Sequence, residues 1–234
     1  MRLATLSSSI RIRSLAVALV GVLWLALAAG TASKASAAPV FDSITGNTPT
    51  GSVTATVLGW QAAQFSLPAA SYSSEKYALG SVVLNLANTA LGTDYAIEIY
   101  DSTSGASAKP KSKVAALVGP ATIVIGNNSF TPGLLFPELD PGKSYWVVAK
   151  GFFTFPQWST AGNSGVISPV SQQSMKTAST TDAGSNWTTA AASSNPYMMT
   201  VNAVAVPEPS TWAMGLAGLG FAGVTALRHR RRQG

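Results

Sequence analysis

The sequence predicts an all-β fold, an antiparallel β-sandwich of jelly-roll type, flanked by an N-terminal signal peptide and a single C-terminal hydrophobic helix. Three features of residues 38–206 predict the sandwich. Apolar and polar residues alternate with a period of two, and no amphipathic helical stretch interrupts this pattern. Gly, Pro, Asn and Asp divide the β-branched runs at intervals of about 8–15 residues, which is typical of antiparallel sandwiches.

The stretch DYAIEIYD (94–101) illustrates the reasoning for a single strand. Tyr95, Ile97 and Ile99 share one face of the strand, whereas Glu98 lies on the other. We expect the first face to enter the core and the second to face water. The same reasoning predicts strands at residues 52–58, 60–67, 77–87, 94–101, 113–118, 121–125, 144–150, 172–178 and 197–206.

The start of the chain has the features of an export signal. Residues 1–13 carry three arginines, residues 14–30 form an uncharged apolar run, and ASA (35–37) places small residues at a cleavage site. We therefore predict a signal peptide over residues 1–37. The alternative is an uncleaved membrane helix, for which a 17-residue run is short.

The charge of the chain lies at its two ends. The formal net charge is +6, but residues 38–206 contain seven lysines, no arginine and eight acidic residues, so their net charge is −1. A nearly neutral body does not predict binding to nucleic acid. The chain has no cysteine, so disulfides and thiolate sites are excluded.

The body has few residues suited to catalysis. The single histidine is His229, in the C-terminal tail, and the body has no Cys or Arg. A Ser-His-Asp triad, a histidine-bound zinc and an arginine clamp are therefore excluded, and we predict no catalytic residue, metal or cofactor. The alternative is a glycan-active enzyme with two carboxylates. We expect Glu98 to face solvent, and the other acids considered lie near turns: Asp94, Asp101, Asp140 and Asp182.

Two tryptophans and two short stretches of the body are candidates for binding, and each candidate has a structural alternative. Trp158 and Trp187 are candidates for stacking on sugar rings, or they belong to the core. The lysines of KPKSK (109–113) form a patch for an acidic polymer, or they protect an edge strand. DAGSN (182–186) offers oxygen ligands for calcium, or it forms a local Asx turn.

The end of the chain combines three features in order. VPEPST (206–211) contains the motif Pro207, Glu208 and Pro209, and the apolar segment 212–227 follows it. A basic cluster then ends the chain, and its arginines are predicted to stop transfer across the membrane: Arg228, Arg230, Arg231 and Arg232. The structural alternative is a permanent single-pass anchor.

These three features resemble the PEP-CTERM sorting signal of Gram-negative bacteria. The resemblance implies processing near the motif by an exosortase, a membrane-embedded, transpeptidase-like cysteine enzyme, after transient insertion in the inner membrane. It also implies an association with exopolysaccharide and biofilm machinery.

The body resembles the choice-of-anchor R domain. The resemblance is carried by GKSYWVVAKG (142–151), QWSTAGNSG (157–165) and TTDAGSNWTTAAASSNPYMMTV (180–201). Its pattern has Asp-Gly-Gly where this chain has Asp182-Ala183-Gly184. The resemblance implies a display role and brings no catalytic residues.

The predicted organisation is thus a signal peptide (1–37), a β-sandwich ectodomain (38–205) and a sorting signal (206–234). We expect an exported, non-enzymatic protein that passes through the inner membrane on its periplasmic side and reaches the cell surface or the extracellular matrix. Its expected partners are the export machinery, an exosortase and exopolysaccharide. The alternative function is a carbohydrate-binding module or the carboxylate-dependent enzyme.

Overall fold

Antiparallel β-strands make up most of the described part of the protein. The computed structural model describes residues 37–69, 76–91, 94–133, 136–152, 156–162, 175–188, 191–193 and 195–206, together with Gly218 and Gly220. The strands are β1 (Ala38–Asp42), β2 (Pro49–Thr54), β3 (Gln61–Ser66), β4 (Lys76–Leu86), β5 (Ala90–Leu91), β6 (Tyr95–Ser102), β7 (Pro110–Val118), β8 (Thr122–Ile123), β9 (Gly126–Pro132), β10 (Glu138–Leu139), β11 (Ser144–Gly151), β12 (Gln157–Ala161), β13 (Lys176–Ser179), β14 (Ala191–Ala192) and β15 (Met199–Val206). The prediction of an antiparallel all-β fold is confirmed.

The main sheet is one continuous, curled sheet with the strand order β1-β15-β4-β9-β7-β6-β11-β3-β13-β14. β10 and β12 pair with β4, β2 pairs with β12, and β5 and β8 form a separate ribbon. The pairing between β7 and β9 is short, because it joins only Leu117 to Pro132 and Val118 to Thr131. This junction divides the sheet into a first half-sheet (β1, β15, β4, β9) and a second half-sheet (β7, β6, β11, β3, β13, β14).

One hydrophobic core joins the two half-sheets. The first half-sheet contributes Val82, Leu84, Phe130 and Val201, and the second contributes Phe65, Ile97, Ile99 and Val147. These eight side chains are each no more than 1% exposed. Burial of apolar surface on this scale is the main stabilising contribution to such a fold.

A second, smaller cluster lies on the opposite face of the second half-sheet, here called the outer face. It contains Ala62, Ala108, Trp146, Val148 and Ala178, with three aromatic side chains packed against it: Trp60, Tyr100 and Trp187. Because side chains alternate along a strand, Trp146 and Val148 point away from the core that contains Val147. The second half-sheet is therefore covered on both faces.

The structure differs from the predicted strands at several places. The apolar run 121–125 forms only a two-residue strand, and its end is exposed, with Ile125 70% accessible. Residues 157–161 form β12, which sequence analysis did not predict as a strand. β12 contains Trp158 and pairs with both β2 and β4, so its pairing is set by distant strands.

The segments predicted to enter the membrane, 14–30 and 212–227, lie outside the described residues except for Gly218 and Gly220. Within the part of the chain that is described, no helix has the length and the apolar character needed to cross a membrane.

Candidate functional site

The last strand of the body runs directly into the predicted sorting motif. β15 ends at Val206, which is paired with Lys76 of β4. On its other side, β15 pairs with β1, the first strand, through residues such as Ala203 and Ala38. Because β1 and β15 are antiparallel, the body begins and ends at the same end of the first half-sheet. The predicted site residues Pro207, Glu208 and Pro209, and all four tail arginines, lie outside the described residues.

An ion-pair cluster lies beside the end of β15. Lys76, the partner of Val206, forms a salt bridge with Asp140, and Lys143 forms a second one with the same carboxylate. Hydrogen bonds from Lys143 and Lys76 lower the pKa of Asp140. Salt bridges this exposed contribute little to stability, so the cluster matters mainly as local surface charge.

A polar groove of about 1010 Å³ opens near the same cluster. Its lining includes Asp140 and Lys143, together with many hydroxyl-bearing side chains of β3, β6 and β11. Ser66 and Ser144 are hydrogen-bonded across two strands at 2.7 Å. Ser102 accepts hydrogen bonds from the Trp146 indole at 3.0 Å and from Gln64 at 3.3 Å. The groove can therefore offer hydroxyl and amide groups to a polar ligand.

Three carboxylates line this groove, namely those of Asp101, Glu138 and Asp140. Asp101 accepts hydrogen bonds from the backbone N–H and the hydroxyl of Ser112, at 2.5 and 2.9 Å. The Asp140 carboxylate forms salt bridges with Lys76 and Lys143. The Glu138 side chain, by contrast, is exposed, and its carboxylate forms no hydrogen bond or salt bridge with the described residues.

Glu98 is buried, which contradicts the prediction that it faces solvent. It is 8% exposed and forms a salt bridge with Lys150, which is 9% exposed, at 2.5 Å. The Tyr100 hydroxyl donates to Glu98 at 3.1 Å, and the Lys150 ammonium lies 3.8 Å from the centre of the Trp60 ring. A buried charge needs such partners, because its transfer out of water is costly when it is unpaired.

The pKa of Glu98 reflects these partners. Burial alone raises its pKa, but the hydrogen bond and charge of Lys150, the Tyr100 hydroxyl and the charge of Lys113 together outweigh burial and lower it. Glu98 therefore stays ionised within the outer-face cluster. A carboxylate that is ionised and ion-paired at neutral pH is suited to a structural role and poorly suited to general acid catalysis.

The two tryptophans predicted as sugar-stacking candidates lie in different surroundings. Trp158 is 1% exposed, donates to the Met198 carbonyl at 3.0 Å and packs against Tyr197 with ring centres 4.9 Å apart. This burial favours the core alternative for Trp158, because the ring presents no face to solvent. Trp187 is half-buried and lies against Trp60, with ring centres 6.4 Å apart.

The loop DAGSN (182–186) is closed by its own polar groups. The Asp182 carboxylate accepts from the Thr180 hydroxyl at 2.5 Å, from the Asn186 backbone N–H at 2.8 Å and from the Asn186 side chain at 2.6 Å. These hydrogen bonds, with that of Thr180 first, lower the pKa of Asp182 to about 2. The geometry corresponds to the Asx-turn alternative. Within the described part of the chain, no group of three or more His, Cys, Asp or Glu side chains could hold a metal ion.

The lysines of residues 109–113 lie on and before β7. Lys109 and Lys111 are exposed, and Lys113 contacts Glu98 at 3.4 Å. β7 pairs with β9 only at its last two residues, so among the described residues the rest of the strand has β6 as its one strand neighbour. This placement fits the edge-strand alternative, in which lysines discourage pairing with another chain.

The buried ion pair of the outer face, Glu98 and Lys150, was not predicted from the sequence. The stretch SYWVVAK (144–150) carries large apolar residues on both faces, which indicates a strand covered on both sides. Glu98 and Lys150 then stand as two opposite charges at outer-face positions of neighbouring strands. These two observations together could have predicted the buried pair.

Comparisons with known proteins identify the end of the chain. No curated protein and no solved structure matches the chain. Residues 205–232, however, match the family model described as the PEP-CTERM protein-sorting motif. The match starts within β15 and covers the predicted motif, the apolar segment and the arginines. It indicates an exported protein that is anchored transiently in the membrane and has an exosortase as its processing partner.

Proposed function

We propose that this protein is a non-enzymatic component of the cell surface or extracellular matrix, held at the inner membrane by its tail and then freed by an exosortase. The observation that carries the proposal is the continuity of β15 with the PEP-CTERM motif, which ties the folded body directly to the sorting signal. The two facing half-sheets also support the predicted jelly-roll-like sandwich as the displayed module.

The chemistry of the tail supports transient anchoring. Segment 212–227 would span about 24 Å as a helix, which is thin for a bilayer. Each of the four arginines costs about 2.5–3.5 kcal/mol to place in the hydrocarbon, so together they stop transfer. Residues 207–211 extend at most about 18 Å, so the end of β15 is close to the membrane while the tail is inserted.

The use of the carboxylates in the body supports a non-enzymatic role. Glu98, Asp101, Asp140 and Asp182 each accept hydrogen bonds or form salt bridges that stabilise local structure. A glycosidase that uses two carboxylates needs both of them free to exchange protons with the substrate. The four carboxylates named above are instead engaged in contacts within the body.

The intact mass of the protein from an exosortase-positive Gram-negative host tests this proposal. We expect a chain that begins at Ala38 and lacks the apolar segment and arginines. Glu208→Ala, with the arginines kept, should accumulate as an unprocessed form in the membrane fraction. Wild-type protein that keeps RHRRRQG and stays in the inner membrane would contradict the proposal.

A second candidate function, binding of exopolysaccharide, is favoured by the polar groove. Its hydroxyl groups suit a hydroxylated polymer, and Lys111 lines it without a partner among the described residues, where it could pair with an acidic sugar. Co-sedimentation of the released body with host exopolysaccharide tests this function. We expect Lys111→Ala to weaken binding several-fold.

Two further variants make this binding test specific. Lys109→Ala removes the same charge from an exposed position outside the groove, so it should have little effect. Loss of binding in Trp187→Ala, with Lys111→Ala unaffected, would move the sugar site to the Trp60–Trp187 pair. No binding by the wild-type body would remove this candidate function.

A further inference from the structure

Among the residues that the structure describes, the last three residues of β15 present an open strand edge on the side of β1. β1 starts at Ala38, which is opposite Ala203, so β1 does not reach Val204, Ala205 and Val206. These three residues pair only with β4 in the described part of the chain. A strand edge with unpaired backbone groups is a template for another extended chain.

The direction of the backbone groups at this edge follows from the pairing of β4. The Leu79 N–H donates to the Pro137 carbonyl, on the β10 side of β4. Backbone N–H and C=O groups point to opposite sides at successive residues of a strand, so those of Ala78 point toward its partner Val204 in β15. The N–H and C=O of Val204 therefore point toward β4, and those of the next residue, Ala205, point toward the open side.

We propose that this open edge, centred on Ala205, is where the exosortase docks, by adding an extended segment of its own next to β15. This inference rests on the proposed function, in which the exosortase cleaves near Pro207–Pro209. Addition of a strand to an exposed edge is a general mode of peptide recognition, in which main-chain hydrogen bonds supply affinity.

Two observations point to the exosortase as the occupant of this edge. The match to the sorting-motif family begins at Ala205, so the matched segment overlaps the last two residues of the strand. Only residues 207–211 separate the strand from the apolar segment, so a membrane-embedded enzyme that acts on the motif works next to the edge. The predicted cleavage after Ala37 would make Ala38, opposite Ala203, the first residue, so that no N-terminal residue would lie opposite Ala205.

A proline substitution tests whether the open-side N–H of Ala205 is needed for processing while the pairing of β15 with β4 is kept. Ala205→Pro removes the N–H that faces the open side and leaves the β4-facing groups of Val204 and Val206 in place. We expect the rate of tail removal in the exosortase-positive host to fall at least about tenfold. Ala205→Ser keeps the N–H and should be processed at the wild-type rate.

An insertion gives a second test that leaves the strand unchanged. Four residues, Gly-Ser-Gly-Ser, placed between Val206 and Pro207 keep both the edge and the motif but separate them. Docking at the edge predicts slower tail removal, because the motif no longer follows the edge in register. Recognition of the motif alone predicts no change. Resistance of the full-length membrane-bound chain to trypsin shows that each variant is folded.

The outcomes distinguish this inference from the proposed function. Wild-type processing that depends on Glu208, combined with unchanged rates in Ala205→Pro and in the insertion variant, overturns docking at the edge alone. Faster processing of Val206→Pro, which loses its bond to β4, with Ala205→Pro unaffected, also overturns it, because the enzyme would then take a detached segment. If the wild type is not processed, the proposed function itself fails.

Discussion

The two faces of the second half-sheet are both buried, yet they are built in different ways. The core face carries Ile97, Ile99 and Val147, which need no polar partner. The outer face carries Glu98 and Lys150, which are each less than 10% exposed and form a salt bridge with one another. The comparison shows that the polar residues of an alternating strand do not always face solvent. They can instead be buried on the second face, where they pair with one another.

The outer face is covered by Trp60, which directly precedes β3, and by Trp187, which lies in the segment after β13. The Trp60 ring lies over Lys150, and Trp187 packs on Trp60. The loop that contains Asp182 is tied to this region, because the Thr180 N–H donates to the Trp60 carbonyl. The outer face therefore depends on loop geometry as well as on strand pairing.

The largest effect should come from breaking the buried pair. Lys150→Met leaves the Glu98 carboxylate buried without its main partner, and we expect a loss of about 3–5 kcal/mol in the free energy of unfolding. Lys113→Met removes the exposed partner of the same carboxylate and should cost about 0–1 kcal/mol. Urea denaturation of the released body measures both values.

A double variant then tests whether the stability lost in Lys150→Met comes from the unpaired charge or from lost packing. Glu98→Leu combined with Lys150→Met replaces both charges with apolar groups, and such replacements of buried pairs are often neutral or stabilising. We expect the double variant to be clearly more stable than Lys150→Met alone. Equal stabilities would mean that the cost arises from lost packing against Trp60.

The outer face should also be the more sensitive of the two faces to acid. Because the pKa of Glu98 is lowered in the folded state, its contribution is fully present above its ordinary value of 4.5. That contribution is lost as the pH falls below this value and through the lowered pKa. We expect stability to decline with acid in wild type and less steeply in the Glu98→Leu/Lys150→Met variant. If stability falls equally steeply with acid in the wild type and in the double variant, Glu98 is not the source of the acid sensitivity.

Much of the core face could be predicted from the sequence, because a period of two fixes which residues share a face. The strands expected at 60–67, 77–87, 94–101 and 144–150 correspond closely to β3, β4, β6 and β11. Each combines clear alternation or a long apolar run with flanking turn residues, so local pattern and tertiary pairing agree.

The features that the sequence did not predict depend on contacts between distant segments. Residues 121–125 have high β-propensity, but Val124 and Ile125 are exposed, because within the described residues only the two-residue strand β5 pairs with this run. The open edge at Ala205 depends on where β1 begins relative to β15, which is a matter of register. The sorting signal, by contrast, is a linear pattern, so its resemblance to a known family could be identified from the sequence without any knowledge of the fold, and the family match at residues 205–232 supports it.

The smallest expected effect concerns the loop that covers the outer face. Ala183 has a φ of +56°, and Gly184 follows it with a φ of +87°. The left-handed conformation costs a residue with a Cβ about 1–2 kcal/mol, whereas glycine adopts it freely. Ala183→Gly should therefore raise the free energy of unfolding by about 0.5–1 kcal/mol, after the entropy gained by the unfolded chain is subtracted.

Gly184→Ala is the matched control, and it should act in the opposite direction. A Cβ at Gly184 would lie 2.5 Å from the Trp60 ring, so the substitution adds a steric clash to the backbone strain. Because Trp60 covers Lys150, this clash should disturb the outer face and leave the core face intact. Thermal unfolding of the two variants, followed by near-UV circular dichroism of the tryptophans, measures both effects. A stabilising Gly184→Ala, or an Ala183→Gly that lowers stability, would mean that the loop does not set the cover of the outer face.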